Sequence, residues 1–589
     1  MRIAASLLAI AAATVSLPIA ALAQSDRASP ELSARVEGVV GEDSKDLAIA
    51  QLDVEVVRRG GTAVTTMTVR FDNPSDQTLE GQFGLRMPEG SVVTGYALDV
   101  GGQMIDGVLQ PRDRAREAFE RRVVRRIDPG LAEVDYSNRF ETRVYPIFPR
   151  QGRTIRIEFA TPLDAQGRYR LPIDVENVGQ MSLRVEGAAP ARIAGVDWRE
   201  EGGAYTASIA RRGLDGTIGF DTALDSGITV SRHPGEGDFF ELVGDIAPTR
   251  HAPIGGQDLT ILWDRSVSRL DDDLDAEIAL LERLVRESDP RSIQINFFDS
   301  RGVDRIAVRP NQLTRTLRDV RYVGGTGYSR LAAATQSATG QCVLVTDGRA
   351  TTEQRGGLGQ TDCRVHVVTS GGEADKPWLE ALAARHGGAF VDLGALDEGA
   401  AIARLLAPRR IPQVTDGDKN PVEVRVLPSP DGRYRIVGPM PRGGLMVDGR
   451  PVPTNRMAVP TFAGPGALWA SQHLSVVRDS MDIEALAAEA RRWSVATPGV
   501  SFIVLETPGD YVESGFEPPQ TYPKDQREQY EAIKRQQDAN DARADTAYYQ
   551  SIVQMWEERK AWWSGKPMPQ PRPQPVVRTT NQAMVEEQG

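Results

Sequence analysis

Only two cysteines, Cys342 and Cys363, and five histidines occur in 589 residues. That scarcity excludes a small disulfide-stapled scaffold. His233, His251, His366, His386 and His473 are scattered, show no H-E-x-x-H or other zinc spacing, and read as satisfied surface or core residues. Long hydrophobic runs are absent beyond the N-terminal segment, so no later stretch reads as a bilayer span. No block of basic residues occurs and the formal net charge is −12, which argues against a nucleic-acid partner. Neither a nucleophile–histidine pairing nor a dimetal carboxylate cluster is visible, so no enzymatic activity is expected.

What is present starts with an export signal. Arg2, the apolar stretch Ile3–Leu17, Pro18 and the small-residue run Ala21-Leu22-Ala23 read as a secretory signal peptide over residues 1–23, cut before Gln24. The chain is too long for one core, so several domains are expected.

From Leu47 to about Val230 apolar and polar residues alternate in LDVEVV, AVTTMTVRF, SVVTGYALDV, TIRIEFA and MSLRVEG, separated by Gly, Asn, Asp and Pro. That pattern predicts an antiparallel pair of sheets. Pro111 opens one helix, RDRAREAFERRVVRR, with Ala115, Phe119 and Val123 as its buried stripe. Arg121, Arg122, Arg125 and Arg126 read as a solvated helix end, with an anion site as the alternative. The succession FDNPSDQTLEGQFGLRMPEGSVVTGYALDVGGQMIDGVL, DRAREAFERR and FETRVYPIFPRQGRTIRIEF resembles the vault-protein/inter-α-trypsin (VIT) domain. The resemblance implies a β-rich VIT domain over 36–165, followed by a β-rich annex over 166–255, and carries no catalytic chemistry.

Between about Gln257 and Pro408 strands alternate with helices: DLTILWD, IQINFF, RIAVR, CVLVTD, RVHVVTS and AFVDL against DDLDAEIALLERLVRE, QLTRTLRDV, SRLAAATQ, WLEALAARHG and EGAAIARLLA. This predicts an α/β doubly wound sheet, whose ligands bind beyond the carboxyl ends of strands where the strand order reverses. Asp264, Ser266 and Ser268 form a D-x-S-x-S run after the first strand, Thr326 lies in GGTGYS, and Asp347 ends CVLVTD. If the Asp264 and Asp347 strands are neighbours across the reversal, all five residues meet in one crevice. They offer hydroxyls and carboxylates alone, the donor set of a hard cation. An Asp and Ser cluster that merely caps loops is the plainer alternative.

The block over 256–410 resembles a von Willebrand factor A (vWA) domain with a metal-ion-dependent adhesion site (MIDAS). The resemblance implies Mg²⁺, with Mn²⁺ or Ca²⁺ as substitutes. Ser266 and Ser268 would bind directly, Asp264 through water, and Thr326 and Asp347 would exchange direct and water-mediated contacts. Arg265 and Arg269 flank these ligands and are expected to face solvent, the alternative being that they steer an acidic partner. Cys342 and Cys363 begin strands expected to be adjacent, at the end away from the metal; a disulfide and two buried thiols both fit.

Residues 411–510 return to short strands, and ATPGVSFIVLETPGDY resembles the segment that follows the vWA domain in VIT/vWA proteins. That resemblance implies packing back onto the N-terminal sheets, with the vWA domain inserted. Residues 511–564 are a charged helical region in which Tyr549, Ile552, Trp556 and Trp563 recur at helical spacing; the stripe is expected to pack on the protein or on a second helix, with a partner-binding face as the alternative. Residues 565–589 are Pro-rich and expected to be extended or disordered. The family resemblance, to inter-α-trypsin inhibitor heavy chains and bacterial VIT/vWA proteins, implies an exported adhesion or scaffold protein, periplasmic, secreted or at the cell surface. Its partner would offer an Asp or Glu carboxylate to the metal, with matrix or polysaccharide as a variant. The heavy chains' D-P-H motif is absent, so their covalent chemistry is not carried over. The alternatives are a structural envelope protein with metal-independent contacts and, less favoured, a metal-dependent hydrolase.

Overall fold

The computed structural model describes residues 29–565, apart from 37–43, 125–129, 135, 137–138, 236, 246–255, 337, 339, 350, 353–354, 356–357, 359–360, 408–410, 431 and 454–458. The signal peptide and the tail beyond residue 565 lie outside them, as do His251, Arg125 and Arg126. The chain divides into two compact units, Met1–Glu506 and Thr507–Gly589.

In the first unit, strict alternation builds the N-terminal strands. Along Ile49–Arg59, Leu52, Val54 and Val56 are buried while Gln51 and Glu55 are exposed. An eight-stranded and a seven-stranded sheet face each other across an aromatic core. Phe71 of the larger sheet meets Phe83 of the smaller with ring centroids 5.9 Å apart. Tyr96 meets Phe140 at 5.8 Å and Phe502 at 6.2 Å. The helix Arg112–Val124 buries Ala115, Ala118 and Phe119; the side chains of Arg122 and Val123 lie outside the described residues. Arg121 is exposed and lies 3.9 Å from Glu117.

Pairing is antiparallel with one correction. Arg168–Glu186 runs parallel to Ile49–Arg59, with Val178 opposite Ile49. Alternation places side chains on faces and carries no strand direction, so the sequence pattern did not distinguish the two. The long strands Arg168–Glu186 and Ala204–Asp221 belong to this same eight-stranded sheet. Val500–Val504 fits between Gly130–Val134 and Val108–Pro111, antiparallel to both. Asp238–Asp245 pairs with Arg433–Pro439, so the chain leaves and re-enters one four-stranded sheet on either side of the central region. A fully buried ion pair, Arg435 with Glu241 at 2.7 Å, sits where that sheet meets the turn at Gly61. A Cβ at Gly61 would approach Glu241 Oε1 to 2.5 Å, so only glycine fits.

The helix Gly464–Val477 is absent from the sequence reading. It has a first-turn proline but sets it between two glycines, and it is buried along most of its length, so it shows no polar face. Its Trp469 packs against Phe239 and Trp493 at 5.6 and 5.4 Å.

The central region forms a six-stranded sheet in the order 302–308, 292–299, 258–264, 341–345, 364–369, 387–392. All neighbours are parallel except the edge strand Gly302–Val308. Helices Leu274–Ser288, Leu313–Arg318 and Glu398–Leu406 share one core with Ile261, Trp263, Val343 and Val345. Tyr328–Thr335 and Lys376–Arg385 share another with Leu262, Leu344 and Val367. Strand residues that alternate in sequence thus feed opposite faces, and both faces are covered. Asp273 caps its helix by accepting from the Ala276 N–H at 3.0 Å.

In the second unit, Thr507 and Asp510 cap the helix Pro508–Ser514 reciprocally. The 40-residue helix Lys524–Trp563 follows. Its aromatic stripe is exposed: Tyr549, Ile552, Trp556 and Trp563 are 68%, 41%, 52% and 63% exposed, and the Trp556 and Trp563 rings lie 6.5 Å apart. Helical spacing identifies an apolar face without saying what covers it.

Candidate metal centre

The strand Asp258–Asp264 leads the chain to one side, through Ser292–Asp299 and Gly302–Val308. The chain then returns to the other side at Gln341–Val345. The order therefore reverses between the strands that carry Asp264 and Asp347, and a crevice opens at their carboxyl ends.

The five singled-out residues lie there together. Asp264 Oδ1 accepts from the Ser266 N–H at 2.9 Å, and Oδ2 accepts from the Thr346 hydroxyl at 2.7 Å. Ser266 Oγ lies 3.0 Å from Ser268 Oγ and accepts from Thr326 Oγ1 at 3.1 Å. The Thr326 loop is held by its N–H donating to Thr351 Oγ1 at 2.7 Å and by Thr352 Oγ1 donating to its carbonyl at 2.8 Å. Asp347 Oδ1 accepts from the Arg349 N–H at 2.9 Å. Asp264, Ser266, Thr326 and Asp347 are buried, and Ser268 is partly open.

Two features test whether these residues fit a cation. Asp347 Oδ2 is buried and, among the described residues, has no hydrogen-bond partner. An unpaired buried carboxylate oxygen is costly, and a cation offsets that cost. Burial first, then the nearby Asp347 charge, pushes the Asp264 carboxyl up to about 6. Two buried carboxylates and three hydroxyls at one crevice suit a hard, oxygen-seeking ion. Among the described residues no three His, Cys, Asp or Glu side chains converge on a metal-sized site.

The expectation that Arg265 and Arg269 face solvent is overturned. Arg269 is fully buried. Its Nη1 donates to the carbonyls of Asp264 at 3.3 Å and Val345 at 3.0 Å, the ends of the two strands that flank the crevice. Its other nitrogens pair with Asp272 and Glu277, and Glu277 also accepts from Ser370 Oγ at 2.8 Å. Burial pushes the Glu277 carboxyl up to about 7 against the pull of Arg269. Arg265 is 17% exposed and pairs with Asp299 at 2.9 Å and Asp304 at 2.6 Å. Carboxylates distant in sequence make this burial tolerable, and local pattern does not reveal them. Arg269 and Glu277 were therefore missed as supports of the site; Glu277 reads in sequence as an ordinary first-turn acid.

Cys342 and Cys363 form a disulfide with Cα atoms 5.8 Å apart. His366 is buried, with Nε2 3.0 Å from Gln341 Oε1 and Nδ1 accepting from the Ala389 N–H at 3.2 Å. The role is structural, as read from sequence.

A family model, the vault protein inter-alpha-trypsin domain, matches residues 49–159, so a VIT domain occupies that part of the first unit. Compared with curated proteins, the chain matches none. Among solved structures it is similar to a Legionella pneumophila protein described provisionally as nutrient-binding. That match has 10% identity and a TM-score of 0.19, and covers 29% of this chain and 66% of that one, a likeness too slight to assign a fold.

Proposed function

We propose that residues 256–410 are a doubly wound vWA domain whose MIDAS binds Mg²⁺, and that the protein is an exported adhesion or scaffold protein. Asp264, Ser266, Ser268, Thr326 and Asp347 would hold the ion. The ion's chemistry is to offer a positive, exchangeable position to an oxygen ligand. A partner's Asp or Glu carboxylate would fill it, because few direct carboxylates leave the ion electrophilic. Residues 1–23 would direct export to the periplasm or cell surface. Among the described residues no helix is long and apolar enough to cross a membrane.

The observation that carries this reading is the unpartnered Asp347 Oδ2, buried beside Asp264 at the reversal of strand order. The test is thermal unfolding of the chelator-stripped protein with and without Mg²⁺, beside Asp264→Ala. At a hundredfold excess over Kd, binding stabilises by about 2.7 kcal/mol. One transition should rise with Mg²⁺ in the natural protein and not in the variant. Equal behaviour of the two, with no bound metal, would remove the metal bridge and leave a metal-independent module.

A further inference from the structure

Tyr328 begins the helix Tyr328–Thr335, two residues after Thr326, and is 1% exposed. Its ring packs edge-on against Trp378 at 5.2 Å, and the Arg355 guanidinium lies 4.6 Å from the same Trp378 ring. Arg355 Nη1 donates to the carbonyl of Gly348, next to Asp347, at 3.2 Å, and to Asp375 Oδ2 at 2.5 Å. The Asp375 N–H donates to the Asp347 carbonyl at 2.8 Å. Arg355 and Asp375, next to the Trp378 ring on which the tyrosine packs, thus hold the turn that presents Asp347.

Among the described residues the hydroxyl itself has no hydrogen-bond partner, and neither does Asp347 Oδ2. Buried tyrosine hydroxyls ordinarily find one. Packing against Trp378 would be served as well by phenylalanine, so the ring alone does not account for the oxygen. The charged groups whose fields reach this hydroxyl are Arg355, Asp347, Asp264 and Asp375, and a phenol O–H is a donor at neutral pH.

We propose that Tyr328 is a positioning residue of the metal site, its O–H donating to the water and carboxylate oxygens gathered around the ion at Asp347. This rests on the metal reading above. A donor of this kind orients an inner ligand without touching the ion, and losing such partners typically weakens metal binding by about 10–100-fold.

The test is Tyr328→Phe in the full chain, with Mg²⁺ alone as the probe. The Kd for Mg²⁺ should rise about tenfold, while the metal-free transition stays in place or moves up, because an unpaired buried hydroxyl has gone. Tyr169→Phe is the control: Tyr169 shares a 2.6 Å hydrogen bond with Thr65 in the sandwich, so its loss should lower stability without changing the Kd. An unchanged Kd in Tyr328→Phe, or a metal-free transition that falls as in the control, would overturn the role assigned to the tyrosine alone. A natural protein that takes no Mg²⁺ would remove the metal reading and this inference with it.

Discussion

Asp264 is under electrostatic stress that a cation would relieve. Its folded-state value is raised from the usual 3.8 to about 6. The stability it contributes is therefore fully present below 3.8 and is lost as pH rises through about 6 in the metal-free protein. Asn at this position keeps an oxygen for the Ser266 N–H and an NH₂ to face Thr346, and carries no charge. In chelator, Asp264→Asn should be more stable than the natural protein at pH 7 by about 3 kcal/mol, the difference closing as pH falls below 3.8. Urea unfolding across that range checks it, and a variant less stable at pH 7 would count against the stress. His366 leans the other way: burial lowers it to about 4, so its contribution is present above 6.5 and lost on acidification.

Among the elements, the disulfide and the crevice occupy opposite ends of the same strands. Cys342 opens the strand that Asp347 follows, and Cys363 immediately precedes its neighbour. The bond spans 21 residues, and a loop of that size stabilises by about 3 kcal/mol. Cys342→Ala with Cys363→Ala should lower the stability of the central transition by about that amount. The Mg²⁺ Kd should stay within about twofold, since distant, unconnected sites behave additively. Urea unfolding and a Mg²⁺ titration on one preparation read both. A large loss of Mg²⁺ affinity would mean that the strand ends move as a unit.

At the scale of the whole first unit, buried ions join parts far apart in sequence. Arg435 reaches Glu241 at 2.7 Å and the carbonyl of Leu163 at 2.9 Å, while Glu241 accepts from the Gly61 N–H at 2.9 Å and Thr62 Oγ1 at 3.0 Å. Arg355 joins the Asp347 loop to Asp479 at 2.8 Å and to the Ser475 carbonyl at 3.0 Å. Arg435→Met strands a buried carboxylate and should cost about 3–5 kcal/mol. Adding Glu241→Gln, which still accepts from Gly61, should recover a substantial part of the loss. A double-mutant cycle by chemical denaturation measures this coupling. Additive losses would show that the two side chains act separately.

The amino-acid sequence by itself determined the elements whose signal is local. Alternation laid out the sandwich strands, helical periodicity marked Leu274–Ser288, and D-x-S-x-S, GGTGYS and VTDG named the five crevice residues. Those motifs are readable because side-chain oxygens at strand ends must be spelled out residue by residue. The tertiary structure alone decided the parallel pairing at Ile49, the burial of Arg269 by Glu277, and the fully used helix Gly464–Val477. It also decided that the Trp556 side chain is exposed and that the Tyr328 hydroxyl is buried without a hydrogen-bond partner among the described residues. Each depends on what a residue meets across the fold. Charge pairing, strand direction and coverage of an apolar face are properties of two partners, and a local pattern describes one.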